Sequence, residues 1–154
     1  MTTLYLIGCS QKKIDIDPST LVEARTLYNG DLFNKSREYV EGLGGRWGIV
    51  SAKYGCLCPD DRVNIYDKFL TEKQARAPRY GALLLSSFDA LLSKLQILTY
   101  NLDRVVVLAG NNYRLALKKF VWSEYPFLQH SAPLEGLGIG KQKQKLKALI
   151  RGQA

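Results

Sequence analysis

The segment RVVVLA at residues 104–109 constrains the fold of this chain more than any other stretch of its sequence. Its centre is a continuous apolar run, rich in β-branched valine, with no polar residue alternating between the apolar ones. Such a run is typical of a strand covered on both faces, as in a parallel sheet with helices on each side. Shorter apolar runs predict three more strands, at residues 3–7, 47–50 and 127–130.

Helical patterns alternate with these strands. Residues 31–43 place apolar side chains near one face and end at two glycines, and residues 79–98 are rich in leucine and alanine. A weak capping box at residues 17–23 predicts a further helix start. Three more helices are predicted between Thr71 and Pro78, between Gly110 and about Trp122, and over residues 141–151. This order predicts an α/β fold, a three-layer sandwich around a central, mainly parallel, four-stranded sheet. A length of 154 residues suits one domain, residues 1–154.

Net charge narrows the class of partner. The sequence carries 22 basic and 14 acidic residues, for a formal charge of +8, which favours a polyanion such as nucleic acid. The sequence contains no run of about 18 apolar residues, so it predicts no membrane span. Its first residues do not show the pattern of a signal peptide. The odd number of three cysteines favours a reducing, cytoplasmic location without structural disulfides.

Unusual polar or glycine-rich segments follow the predicted strands. In chain order they read GCSQKK, SAKYG, AGNN and HSAPLEGLGIG. In open α/β sheets the ligand binds outside the carboxyl ends of the parallel strands. We therefore expect these four segments to meet at one edge of the sheet and to form the functional site.

The first of these segments combines a thiol, a hydroxyl and two cations, contributed by Cys9, Ser10, Lys12 and Lys13. One interpretation is a loop that contacts a phosphate or a base. Another is that Cys9 is a nucleophile activated by the neighbouring lysines. The simpler alternative, in which Cys9 packs in the core and the lysines are solvated, stays open.

The last segment, with the helix that follows it, is the strongest local feature. Gly136, Gly138 and Gly140 let the backbone approach a ligand closely just before the helix begins. Lysines in a first helical turn oppose the helix dipole, which suits a phosphate bound at that N-terminus. The basic residues of this stretch are Lys141, Lys143, Lys145, Lys147 and Arg151. A solvated basic tail helix remains the alternative.

Three further features allow more than one interpretation. His130, the one histidine, stands at the end of the last predicted strand. It is either a functional group or a structural hydrogen-bonding partner. Asn111 follows the strand at residues 104–109, where an amide can bind a base edge or cap a helix. The cysteines and the histidine could supply zinc ligands, but the spacing of Cys56 and Cys58 differs from that of zinc ribbons. This spacing disfavours a zinc site, and we predict neither a metal nor an organic cofactor.

Four aspartates are candidate catalytic carboxylates: Asp31 in LYNGDLF, and Asp60, Asp61 and Asp67 in the long polar segment at residues 51–67. Isolated aspartates in loops usually form turns. A carboxylate at the edge of a site can instead stabilise a sugar cation or position water, as cleavage of a glycosidic bond requires. Both interpretations are open from the residues alone.

Four segments in order along the chain, GCSQKK, ARTLYNGDLF, SAKYGCLCPDDRVNIYD and PLEGLGIGKQ, resemble the motif series of a small family of bacterial and phage proteins. That family is related to YaaA and to the accessory domain of archaeosine synthase and archaeal tRNA-guanine transglycosylase. The resemblance spans residues 4–147 and implies a uracil-DNA-glycosylase-like fold. HSAPLEGLGIG is similar to the loop with which those glycosylases contact DNA, with His130, Pro133 and Leu134 as counterparts.

The chain departs from the glycosylases in their first motif, Gly-x-Asp-Pro-Tyr, which carries the water-activating aspartate. The corresponding residues here are Gly8, Cys9, Ser10, Gln11 and Lys12. A catalytic carboxylate would therefore come from elsewhere, with Asp67 as the first candidate and Asp31 as the second.

The resemblance implies a DNA glycosylase that flips a nucleobase, expected to be a modified one, out of the stack and cleaves its N-glycosidic bond. The substrate would be contacted by Cys9, Ser10, Ser51, Tyr54, Tyr66 and Asn111. One of the two tyrosines would stack on the base, and Ser51 or Asn111 would bind its edge. His130 would assist the leaving base or hold a phosphate. The DNA backbone would be bound by Lys12, Lys13, Lys53, Gly138, Gly140, Lys141, Lys143 and Lys145.

The expected partner is DNA, double- or single-stranded, bound by a monomer in the cytoplasm in anti-phage defence or repair. Two alternatives remain. One is a YaaA-like nucleic-acid-binding stress protein without catalysis, and the other is a base or ribosyl transferase acting on tRNA or nucleotides.

Overall fold

A computed structural model describes residues 2–153 of the chain. The strands in this range are β1 (Thr2–Gly8), β2 (Val22–Glu23), β3 (Arg46–Ser51), β4 (Gly55–Leu57), β5 (Arg62–Val63), β6 (Leu102–Leu108) and β7 (Gln129–Ser131). The α-helices are α1 (Ala24–Leu27), α2 (Asp31–Gly42), α3 (Glu72–Arg76), α4 (Pro78–Lys94), α5 (Asn111–Phe120) and α6 (Ile139–Arg151), with short 3₁₀ turns at Thr99–Asn101 and Trp122–Glu124. None of the helices in this range is long and apolar enough to cross a membrane.

Five strands form the central sheet in the order β4-β3-β1-β6-β7, and β2 pairs with β5 in a separate two-stranded ribbon. β1 lies in the middle, parallel to β3 on one side and to β6 on the other. β7 is parallel to β6, and β4 is antiparallel to β3 at the opposite border. The predicted α/β fold with a mainly parallel central sheet is therefore confirmed.

Helices cover both faces of this sheet. Val105 and Val107 of β6 belong to one buried core, which also contains residues of α3, α4 and α5. Val106 and Leu108 belong to the other core, with residues of α1, α2 and α6. Alternate residues of a strand point to opposite faces, so this strand buries both of its sides. That double burial explains the continuous apolar run in RVVVLA.

The helix signals between Thr71 and Lys94 are confirmed. The Thr71 hydroxyl accepts a hydrogen bond from the Gln74 backbone N–H, and the Gln74 side chain accepts one from the Thr71 N–H, each at 3.2 Å. α3 ends before Pro78, which is the first residue of α4. Ala77 between the two helices is extended, as expected of a residue that precedes proline. α2, α5 and α6 also lie where the sequence predicts them, apart from small differences at their ends.

The helix predicted to begin at residues 17–20 is wrong. The Thr20 N–H donates to the Asp17 carbonyl, and the Ser19 N–H and hydroxyl donate to the Asp17 carboxylate. These bonds close a turn, because aspartate and serine satisfy backbone groups in turns as well as at helix starts. The chain then enters β2, which pairs with β5, and only the four-residue α1 follows.

The long polar segment after the second predicted strand is only partly a loop. Gly55, with φ at +69°, closes a tight turn, and Gly55–Leu57 returns as β4 along β3. The central sheet therefore has five strands where the sequence predicts four. The fifth strand gave little signal because it is three residues long, too short for an alternating pattern to be read.

Replacing Gly48 with alanine tests how tightly β3 packs. An added Cβ would lie 2.6 Å from Leu91 Cδ2 and 3.0 Å from the Leu57 carbonyl oxygen. Leu91 is buried in the core and the carbonyl belongs to β4, so neither moves freely. We expect the free energy of unfolding, measured by urea denaturation, to fall by about 1–3 kcal/mol.

Gly140→Ala is the matched control, because an added Cβ there meets no atom within 4 Å. Alanine is the better helix former, so this variant should be at least as stable as the wild type. Equal destabilisation by both substitutions would contradict the packing explanation.

Candidate functional site

Three helices begin at the carboxyl edge of the sheet. α2, α5 and α6 each start after a glycine, respectively Gly30, Gly110 and Gly138, and none has a side-chain cap. The first N–H groups of a helix lack partners within it, and the helix dipole adds partial positive charge. Gly30, Gly110 and the first turn of α6 line the same cavity. Three positive helix ends around one space favour the binding of an anion there.

This space, called the edge cavity below, has a volume of about 530 Å³. Its walls are the loop after β1, the start of α2, the end of β6 with the start of α5, and the start of α6. The lining residues with reactive or charged groups include Cys9, Ser10, Lys12, Asp31, Tyr113 and Lys143. Three of the four segments predicted to meet at this edge, GCSQKK, AGNN and HSAPLEGLGIG, contribute to the cavity, whereas no residue of SAKYG lines it. The volume suits a ligand of about nucleotide size.

Hydrogen bonds hold the loop that follows β1. The Cys9 N–H donates to the Val50 carbonyl at 3.0 Å. The Ser10 hydroxyl donates to the Lys12 carbonyl at 2.6 Å and accepts from the Gly30 N–H at 3.1 Å. A Cβ on Gly30 would lie only 2.6 Å from the Ser10 Cβ, so this close approach requires glycine. The loop and the start of α2 therefore form one fixed wall of the edge cavity.

Asp31, the first residue of α2, contributes a carboxylate to this wall. It pairs with Lys35 one turn along the helix and with Lys143 of α6, the second pair at 3.0 Å. Hydrogen bonds from Lys35 and Lys143 lower the pKa of Asp31 to about 2. The carboxylate is therefore ionised at neutral pH, and its pair with Lys143 joins α2 to α6.

A second group of polar residues lies beside the edge cavity. We call it the tyrosine cluster, which consists of Tyr28, Ser51, Tyr54, Tyr66, Tyr80 and Tyr113. The Tyr28 and Tyr66 hydroxyls are 2.6 Å apart, and the Tyr113 hydroxyl is 3.1 Å from Cys9 Sγ. Burial raises the pKa of Tyr28, Tyr66, Tyr80 and Tyr113, so these phenols stay protonated at neutral pH. The cluster is an uncharged hydrogen-bonded support behind Cys9.

Ser51 belongs to the interior of this cluster. It is fully buried, and its hydroxyl accepts a hydrogen bond from the Tyr54 N–H while its carbonyl accepts one from the Tyr80 hydroxyl. Its position corrects the expectation that Ser51 binds a base edge, because a residue without exposed surface cannot reach a ligand. Tyr54 and Tyr66 are half-buried and pack edge to face, with ring centroids 5.5 Å apart.

Two lysine ammonium groups lie near the Tyr66 ring. Lys13 Nζ is 4.5 Å from the ring centroid and Lys53 Nζ is 5.6 Å from it. Cation–π attraction helps to position both. Burial lowers the pKa of Lys13, with nearby Cys9 and Asp67 acting in the opposite direction. Asp67 is exposed on this side of the site and does not line the edge cavity.

The structure places His130 away from the edge cavity. It is exposed on β7, and its ring stacks on Trp122 with centroids 5.3 Å apart and planes inclined by 12°. Both rings line a separate pocket of about 310 Å³ that also contains Arg114 and Lys118. His130 is therefore not brought together with Asp31.

Other residues expected at the site lie on its rim or outside it. Asn111 begins α5, and its oxygen lies 3.5 Å from Arg114 Nη2 without lining the edge cavity. Lys141 is exposed, and the Lys145 ammonium donates to the Pro133 carbonyl at 2.9 Å. Gly138 and Gly140 have open space beside them, which permits close approach of a ligand.

The aspartates of the long polar segment are largely structural. Asp60 pairs with Arg25. The Asp61 carboxylate accepts hydrogen bonds from the Lys94 ammonium and the Cys58 N–H, both at 2.9 Å. These contacts hold the segment in place, as the turn-forming interpretation of loop aspartates expects.

The structure does not bring the cysteines and His130 together as a zinc site. Cys56 and Cys58 are buried in the core, and burial raises the pKa of Cys56 to about 12. Across residues 2–153, no three side chains of His, Cys, Asp or Glu are grouped so that they could hold a metal ion.

Sequence reasoning missed several contributors to the site. Tyr113 lines the edge cavity, although the pattern AGNNYR drew attention to the asparagines before it. Tyr28 and Gly30 lie in the segment LYNGDLF, of which only Asp31 was singled out. A glycine directly before a predicted helix was a usable signal for the cavity wall, since α2, α5 and α6 each begin after a glycine.

Comparison with known proteins identifies the family. The family of unknown function DUF6884 matches residues 4–148. The chain belongs to this family. It is also similar to the uncharacterized protein YfjM of Bacillus subtilis (strain 168), with 28% identity over 155 residues, covering 97% of this chain and 96% of that protein. Every residue that lines the edge cavity falls within the matched range.

Lys143→Gln should raise the pKa of Asp31 from about 2 towards the ordinary aspartate value of about 3.9, because one of its two cationic partners is lost. A carboxyl with a lowered pKa stabilises the folded state above its unfolded pKa and loses that contribution as the pH falls towards about 2. NMR titration of the Asp31 carboxyl carbon measures the shift. Lys147→Gln, on an exposed residue of the same helix, is the control. A titration of Asp31 that is identical in the two variants would contradict the assigned pair.

Proposed function

We propose that this protein is a DNA glycosylase with a uracil-DNA-glycosylase-like fold, and that it hydrolyses the N-glycosidic bond of a flipped, modified nucleotide held in the edge cavity. The observation that carries the proposal is the composition of that cavity. Three uncapped helix N-termini, Lys12, Lys143 and the ionised Asp31 line one space of about 530 Å³. A nucleotide has a phosphate for the cations and a sugar for the carboxylate.

The anionic part of the substrate is matched by the cavity's positive groups. A phosphate at the free N–H groups of a helix start is stabilised by the helix dipole and by charge-assisted hydrogen bonds. Lys143 pairs with Asp31 in the free protein. A bound phosphate would compete with Asp31 for Lys143. Substrate binding would therefore leave the Asp31 carboxylate less neutralised and better able to stabilise positive charge on the sugar.

The chemical step needs a negative charge close to the sugar. The bond between C1′ and the base nitrogen breaks, and its electron pair leaves with the base, which takes up a proton. C1′ gains positive charge, and a water molecule adds to it and releases a proton to solvent. A carboxylate with a pKa of about 2 is a weak base, so Asp31 would act by electrostatic stabilisation of this cation.

Its position in the cavity wall makes Asp31 a better candidate than Asp67, which lies outside this wall. His130, stacked on Trp122 beside Arg114 and Lys118, suits the second of its two expected roles, contact with a DNA phosphate. In this proposal a monomer acts on DNA in the cytoplasm, in repair or in defence against phages with modified bases.

Base release tests the reaction. The protein is incubated with DNA containing ordinary cytosine, uracil, 5-hydroxymethylcytosine or glucosylated 5-hydroxymethylcytosine. Alkali-labile sites are then scored on gels, and released bases are identified by mass spectrometry. We expect release from at least one modified DNA. Asp31→Asn should lower the rate at least about 100-fold, within the range of losses seen when a transition-state electrostatic contact is removed.

Asp67→Asn and Asp103→Asn are the comparisons. Asp103 lies near the amino end of β6, whereas the edge cavity lies at the carboxyl end of that strand. Its substitution should leave the rate unchanged. A loss confined to Asp67→Asn would remove Asp31 from the mechanism. Tight, salt-sensitive binding without release from any DNA would instead support a YaaA-like binding protein, and release only with an acceptor base would support a transferase.

A further inference from the structure

We propose that a second cleft, lined by Lys53, Lys68 and Arg79, binds phosphates of the single strand that flanks the target nucleotide. The substrate would then be a polynucleotide, with an unpaired segment beside the target, rather than a free nucleotide. This inference rests on the proposed function only in placing the target nucleotide in the edge cavity.

The cationic cleft, as we call this second space, has a volume of about 700 Å³. One wall is the turn between β3 and β4, another is the segment from Lys68 to Leu70, and the third is formed by α3 and the first turns of α4. Its lining contains three basic residues and no acidic one. Within residues 2–153, the ion pairs of the protein involve none of these three cations.

A neighbouring cation outside the cleft, by contrast, has an acidic partner. Arg76 of α3 is neutralised by Glu72 one turn earlier, at 3.1 Å. Arg79, three residues further on, stands in the first turn of α4, where a cation opposes the helix dipole. The start of α4 also has no side-chain cap. A phosphate in the cationic cleft would relieve both unfavourable features.

The cationic cleft is connected to the edge cavity through the tyrosine cluster. Lys53 lines the cleft, and its ammonium lies 5.2 Å from the Tyr54 ring centroid and 5.6 Å from that of Tyr66. On the other side, Tyr66 is approached by Lys13 at 4.5 Å. Lys13 adjoins Lys12, which lines the edge cavity. The cations therefore form a continuous path from one space to the other.

The path favours a bound strand over separate small anions. Lys13 and Lys53 approach the same ring, so their ammonium groups lie within roughly one Debye length of each other, about 10 Å at 0.1 M salt, and repel. A phosphate between them would remove that repulsion. Tyr54 and Tyr66 are only half-buried. Cations that follow a backbone, with aromatic rings between them, are the usual composition of single-strand binding sites.

Binding measurements with probes of different length test the proposal without requiring catalysis. The probes are a fluorescent 12-nucleotide single-stranded DNA, followed by anisotropy, and deoxycytidine 5′-monophosphate, followed by NMR. The test variant is Lys68→Gln with Arg79→Gln. The control variant is Arg104→Gln with Lys119→Gln, which removes the same charges from exposed positions near the amino end of β6 and the last turn of α5.

The test variant should bind the 12-mer at least about tenfold more weakly at 50 mM salt. The slope of log K against log salt should become shallower by about 1.4, since each single-strand phosphate contact contributes about 0.7. Its affinity for the mononucleotide should stay within about twofold of the wild type, and the control variant should bind both probes normally. Thermal melting checks that both variants are folded.

Normal binding of the 12-mer by the test variant would overturn the proposal, and so would an equal loss for both probes. A sulfated oligosaccharide of equal charge that binds as tightly, and is weakened equally, would overturn the assignment to nucleic acid. If the 12-mer result is as expected but no DNA releases a base, the catalytic proposal fails and the cationic cleft stands.

Discussion

The parallel pairing of β1 between β3 and β6 is the constraint on which the rest of the structure depends. In the register of the sheet, Gly8 at the end of β1 lies opposite Val50 of β3, and Ile7 lies opposite Leu108 of β6. Three strands therefore end at nearly the same level on one edge. Residues that follow these strands meet at the edge cavity and the tyrosine cluster because of this alignment. Sites in open α/β sheets usually arise in this way.

Burial on both faces makes that arrangement stable. The two cores share the strands but not their side chains, since Leu6 belongs to one and Ile7 to the other. Parallel strands need helical crossovers on both faces to cover them. The crossover helices α2 and α5 begin at the carboxyl edge, where the strands before them end, and the terminal helix α6 begins there as well. Coverage of the core and assembly of the edge cavity are therefore consequences of one topology.

The helix starts at the edge cavity differ from the start of α3. α3 begins with a complete capping box at Thr71, whereas α2, α5 and α6 begin at glycines without any side-chain cap. A serine, threonine or aspartate cap typically stabilises a helix by about 1 kcal/mol. The chain leaves that stabilisation unused at the three starts that line the cavity. Free N–H groups there are what an anionic ligand would need.

Much of this arrangement could be predicted from local sequence. The apolar run at residues 104–109, Pro78 and Thr71 each act through their nearest neighbours, and each prediction drawn from them is confirmed. The failures share a different cause. Asp17 and Ser19 carry signals common to turns and helix starts, and β4 is too short to show a period. Which alternative forms there depends on pairing partners far along the chain.

The sequence by itself determined the fold class, the two-sided burial of the central strands and the edge at which polar residues collect, because these depend on periodicity and element order. Only the tertiary structure decided which polar groups are available. Ser51 is fully buried and bonded by Tyr80, Asp31 is paired with Lys143 from the other end of the chain, and the cations of the cationic cleft have no acidic partner within residues 2–153. Burial and ion pairing are contacts between distant residues, so no local pattern can specify them.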